Sequence, residues 1–135
     1  MDDALDRALA VHYRTDPERD RLWTWATVER LRTEELLERF LPAPPAVVHD
    51  VGGARGAYAL PLAAKGYAVH LLDAWPPHVE GAAAGSAAQP ATPLASCAVG
   101  DARSLPYDDQ SADAVLLLGP LYHPVSYTHL RAHET

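Results

Sequence analysis

The sequence predicts an α/β fold, an open and mostly parallel sheet entered through an N-terminal helical cap. Three observations carry this expectation. Val47 to Tyr58, VVHDVGGARGAY, reads as a buried strand, a turn built on Gly52, Gly53 and Gly56, and the start of a helix. That arrangement brings backbone groups and a helix N-terminus up to a nucleotide-like ligand. Successive short apolar runs close on an acid, at Asp50, Asp73 and, one glycine further on, Asp101. Ala114 to Leu118, AVLLL, is continuously apolar, the pattern of a parallel strand covered on both faces.

Composition bounds the partners. The chain has 135 residues, 48% of them hydrophobic, and a net charge of −7, which is one domain with enough apolar matter for a core. An acidic chain is a poor match for nucleic acid, because phosphate binding needs a basic face. No apolar run approaches the length of a membrane span, and MDDALDRALA is acidic where a secretory leader would be basic. The single cysteine, Cys97, forms neither an internal disulfide nor a metal set, so a reducing, cytoplasmic setting is expected.

The elements follow in order. Residues 1–45 form the helical cap. A short helix is expected before Asp16, which can act as an N-cap with Pro17 at the first helical position. Leu22, Trp25, Ala26, Val28 and Leu31, then Leu36, Leu37, Phe40 and Leu41, repeat at threes and fours. Thr33-Glu34-Glu35-Leu36 offers a second helix start, and Pro42, Pro44 and Pro45 close the cap with a stiff linker. The sheet region spans residues 46–124. A helix after Ala57 ends at Gly66. The second strand is Tyr67 to Leu72, closing on Asp73. Pro76-Pro77 and HVEGAAAGSAA give a turn and a small-residue helix, with a loop from Gly85 to Pro93. Leu94 to Val99 is the third strand, and a turn-rich link leads to Ala114.

In a parallel sheet the C-terminal strand ends share one edge, and ligands bind there. The glycines let backbone approach a ligand closely. Asp50 can hold the turn or face a cationic group. Asp73 follows Gly56 at nearly the spacing of an acid that binds ribose hydroxyls. Asp101, with the Ala102 N–H beside it, is placed to read an adenine amino group. His49 lies in the first strand and is read as a satisfied, partly buried histidine.

Asp50-Val51-Gly52-Gly53-Ala54-Arg55-Gly56, then Asp73, then Gly100-Asp101-Ala102-Arg103-Ser104-Leu105-Pro106 with Asp108 to Val115, together resemble the class I S-adenosylmethionine (SAM)-dependent methyltransferases. The one departure in the first motif is Ala54, where that family has glycine. The resemblance implies a Rossmann-like sheet of the class I methyltransferase type. It implies SAM as cofactor, and Gly119-Pro120-Leu121-Tyr122-His123, similar to the segment after strand four in a small-molecule branch of that family, implies a small-molecule methyl acceptor. Gly52, Gly53 and Gly56 would face the methionine part, Asp73 the ribose, and Asp101 with Ala102 the adenine. Tyr122 and His123, after the fourth strand, lie where substrate would approach. No general base is named, no metal site is expected, and no oligomeric state is implied.

Val125 to Thr135, VSYTHLRAHET, breaks the pattern. It matches the in-frame translation of a transposase sequencing adapter and is set aside from the fold. His129 and His133 within it are therefore not read as metal ligands. On this reading the fold-bearing sequence is an N-terminal fragment, truncated after the fourth strand, and is expected to fold poorly and to be inactive alone. Two alternatives stand beside it. One is an NAD(P)-binding Rossmann oxidoreductase fragment, which would need glycine at Ala54 and leaves Asp50 and Gly100–Val115 without a role. The other is a non-catalytic truncated product.

Overall fold

The computed structural model describes residues 27–118. The expected first helix, Asp16-Pro17, Tyr122, His123 and the adapter-like segment lie outside the described residues. The chain divides at Leu41–Pro42 into two compact units. In the first, α1 (Thr27–Phe40) is one continuous helix. The second start suggested at Thr33 is not used. Thr33 instead sits inside a helix laced by Arg30–Glu34 at 2.9 Å and Arg32–Glu35 at 3.0 Å, pairs that favour helix continuity by a few tenths of a kcal/mol each.

The second unit runs β1 (Val47–Val51), α2 (Ala59–Ala64), β2 (Ala68–Asp73), α3 (Pro76–Ala87), β3 (Ser96–Val99) and β4 (Ala114–Leu116). The four strands form one sheet in the order β3-β2-β1-β4, all pairs parallel. This is the expected Rossmann-like sheet of the class I methyltransferase type. Strand bounds differ from the sequence reading by one or two residues at their ends. The helix after the second strand runs past Gly85 to Ala87. Tertiary contacts hold that extra turn: Ser86 Oγ accepts the Leu94 N–H at 2.8 Å, and Gln89 Nε2 donates to the Leu60 carbonyl at 3.1 Å.

Alternation along the strands gives the sheet two different faces. Val69, Leu71 and Cys97 lie on the face that carries α2 and α3. The Cys97 thiol donates to the Val79 carbonyl of α3 at 3.5 Å. Val48, Val51, Val69, Leu71 and Leu72 are fully buried and form the centre of the core. β4 departs from expectation. AVLLL reads as covered on both faces, yet Val115, Leu117 and Leu118 are exposed. β4 is the edge of the described sheet, and no described element lies against its far side.

Candidate functional site

The parallel strands put Asp50, Asp73 and the Gly100–Asp101 turn on one edge of the sheet, with the Gly52–Gly56 turn between β1 and α2. The turn is built from left-handed backbone: φ is +75° at Gly52 and +87° at Gly56, and also +51° at Ala54. Alanine in that region costs roughly 1 kcal/mol relative to glycine. Ala54 is held there because its N–H donates to Asp73 Oδ2 at 2.8 Å.

The other turn amides are also committed within the protein. Gly52 and Gly53 donate to the Leu72 carbonyl at 2.7 and 3.1 Å, and Gly56 donates to the Gly53 carbonyl at 3.0 Å. A phosphate-binding loop keeps such N–H groups pointed at its anion. Here four of them, at 52, 53, 54 and 56, are spent on strand β2, its terminal acid and the turn itself.

Asp50 lies beneath the turn. A Cβ on Gly53 would sit 2.7 Å from Asp50 Oδ2 and 2.9 Å from Leu71 Cδ1, so only glycine fits. Asp50 is 2% exposed, and its Oδ2 has no hydrogen-bond partner among the described residues. Burial, and then the charge of Asp73, push its carboxyl up from 3.8 to about 7. A buried acceptor with unspent hydrogen-bonding capacity suits a cationic group brought to this edge and opposes an anionic one.

Asp73, in contrast, is held by three donors. Its Oδ1 accepts the Trp75 N–H at 2.9 Å and faces His78 Nδ1 at 3.2 Å, while Oδ2 takes the Ala54 N–H. Asp101 is engaged by its own neighbour. Its carboxylate accepts the Arg103 N–H at 2.9 Å and the Arg103 Nε at 2.9 and 3.0 Å, and pairs with Nη2. Burial works to raise the Asp101 carboxyl, but the Arg103 hydrogen bonds and charge outweigh it and hold the group below its ordinary value. Ala102 is half-buried beside it.

The structure thus brings together Asp50, Gly52, Gly53, Gly56, Asp73, Asp101 and Ala102 at one strand edge. It adds His78, Ala54 and Arg103, which the sequence reading left without a role in the site. The signal for His78 was its position just after Pro76-Pro77. Prolines at the start of α3 pin the first helical turn next to the acid that ends β2.

His49 lies on the opposite face. Its ring stacks on Tyr107 at 3.9 Å between centroids and meets His70 edge-on at 5.4 Å. His70 Nδ1 lies 2.7 Å from Ser96 Oγ. Burial, and then His70, lower the His49 imidazole from its ordinary value, which favours its neutral form. The sequence suggests a partly buried histidine; His49 is 5% exposed, its ring packed against Tyr107 and His70. Among the described residues no cluster of three or more His, Cys, Asp or Glu side chains is arranged to hold a metal.

A parallel sheet with a glycine turn and acids at its strand ends defines a Rossmann-like, nucleotide-type ligand site. Comparison with known families narrows this. Residues 49–130 match the family described as a methyltransferase domain, and the chain belongs to that family. The match runs past Pro124 into the segment set aside above. No curated protein sequence matches the chain. Among solved structures, a candidate SAM-dependent methyltransferase from Methanococcus maripaludis is 20% identical, with a TM-score of 0.68, over 87% of this chain and 54% of that one. The CcbJ methyltransferase from Streptomyces caelestis is 27% identical, with a TM-score of 0.52, over 62% and 33%. The [4+2]-cyclase SpnF is 26% identical, with a TM-score of 0.58, over 67% and 34%. The chain therefore spans from a third to about half the length of these proteins.

Proposed function

We propose that residues 46–124 form the cofactor-binding half of a SAM-dependent methyltransferase whose acceptor is a small molecule. The observation that carries this reading is how the turn uses its N–H groups. Four are bonded inside the protein, and an acid with an unpartnered oxygen lies directly beneath them. A pyrophosphate would meet few donors and a buried carboxyl. A ligand carrying an ammonium and a sulfonium would meet a favourable field. The alternative, a nicotinamide dinucleotide, is disfavoured on the same ground.

The residues present fit SAM. Gly52, Gly53 and Gly56 would line the methionine part above Asp50. Asp73 would take the ribose hydroxyls, and Asp101 with the Ala102 N–H the adenine. Bound SAM supplies an activated methyl group on sulfur. The chain's own task is to hold that ligand in one orientation, which is where most of the rate of such a transfer comes from. Arg103 shares the Asp101 carboxylate, so adenine recognition there needs the guanidinium to yield one acceptor position. Tyr122 and His123 remain the proposed contacts to the acceptor.

The exposed apolar edge at β4 supports a further expectation: this chain does not turn over. Setting residues 125–135 aside as adapter belongs to the same proposal. The single cysteine supports a cytoplasmic setting. Among the described residues no helix is long and apolar enough to cross a membrane.

Calorimetric titration with SAM and with NADH tests the reading. SAM binding without NADH binding is expected, and NADH binding without SAM binding overturns it. Because a cyclase shares the fold, binding alone does not establish methyl transfer. Methyl transfer detected from the purified chain would overturn the expectation that it has no turnover.

A further inference from the structure

Asp73 is 8% exposed and is held by three donors, of which the Ala54 and Trp75 N–H groups are main-chain. His78, on the first turn of α3 and 2% exposed, provides the side-chain donor through Nδ1 at 3.2 Å. An ionised carboxylate only accepts, so the proton of this contact sits on His78 Nδ1. A carboxylate offers about four acceptor positions, so three donors leave it capacity for about one more. The two main-chain donors come from the loops after β1 and β2. The imidazole comes from a third direction, the first turn of the helix, and blocks rotation of the carboxylate toward α3. We infer that His78 is a positioning residue, which turns the remaining acceptor position of Asp73 outward toward the vicinal diol of a bound nucleoside. This rests on the reading of the edge as a SAM pocket and deepens it, since it names the side chain that sets recognition of the ribose.

The geometry makes the effect specific to ligands that carry the diol. The experiment is calorimetric titration with S-adenosylhomocysteine and with its 2′,3′-dideoxy analogue. Both ligands are titrated into the 135-residue chain and into His78→Leu and His78→Asn. Asparagine keeps an N–H donor where Nδ1 stood. His78→Leu is expected to weaken S-adenosylhomocysteine about tenfold, the scale of one lost hydrogen bond to a charged group, and to leave the analogue within about twofold. His78→Asn is expected to restore most of the difference. Equal weakening of both ligands, no weakening, or failure of asparagine to restore binding overturns the inference while leaving the SAM reading intact. If the unaltered chain binds neither ligand, both fall. A second measurement decides the matter if the leucine variant does not fold. In the unaltered chain, the His78 Nδ1–H proton resonance is expected to move on adding S-adenosylhomocysteine and not on adding the analogue. Identical responses to the two ligands overturn the inference.

Discussion

Asp50, next to last in β1, and Asp73, the last residue of β2, lie near the same edge, yet the protein treats them in opposite ways. Asp73 collects three donors, from the Gly52–Gly56 turn, the N-terminus of α3 and His78. Asp50 is as deeply buried and keeps an oxygen without a partner. The first acid is part of the framework: it ties two loops to one strand end. The second is a buried acid with unspent acceptor capacity, which on the proposed reading a cationic ligand would use. The two acids differ by two register positions and in their local supply of donors.

The sharpest way to break this comparison is to remove Asp73. Asp73→Ala strands three donors and is expected to destabilise the chain by roughly 3 kcal/mol or more, read as a lower urea midpoint at unchanged slope. A loss below about 1 kcal/mol would mean that the loops hold themselves. Gly53→Ala comes next. Its Cβ would press on Asp50 Oδ2 and Leu71, so a loss of about 1–3 kcal/mol is expected from overpacking, together with loss of SAM binding.

Asp50 sets the third expectation, through pH. Its folded-state pKa of about 7 lies above the ordinary 3.8, so the folded chain holds this proton more firmly than the unfolded one. That contribution to stability is complete below the unfolded value and is lost as pH rises through the folded one. Between these values stability is expected to fall by up to about 1.4 kcal/mol per pH unit from this group alone. Asp50→Asn is expected to remove that slope in parallel urea titrations at several pH values and to weaken SAM binding. An unchanged slope would place the titration elsewhere. The smallest effect is expected from Ala54→Gly. Relief of the left-handed backbone at φ +51° is partly cancelled by the entropy glycine adds to the unfolded chain. The net gain in stability should stay within about 1 kcal/mol.

The strand, turn and helix around Val47–Tyr58 were legible because an apolar run, three glycines and a following helix pattern all point the same way. So were the acids at the strand ends, since a parallel sheet aligns its C-terminal ends. The end of α3 was only half legible: HVEGAAAGSAA reads as helix to Ala88, while the loop reading from Gly85 overlaps it, and the helix ends at Ala87. Gly85 looks like a loop residue locally, but it is glycine because Leu60 Cδ1 lies 2.5 Å from where a Cβ would stand. The roles of His78 and Arg103 were hidden for a related reason. Each depends on where a helix start or turn folds back against a carboxylate, which no periodicity encodes. The division between Asp50 and Asp73 was equally invisible, because donors are counted in space.

Backbone amide resonances, followed as SAM is added, test the central claim most directly. The largest changes are expected at Asp50–Gly56, Asp73–Trp75 and Gly100–Ala102, with β4 and the His49–Tyr107 face little affected. Changes concentrated away from that edge, or the same pattern produced by NADH and not by SAM, would contradict the account.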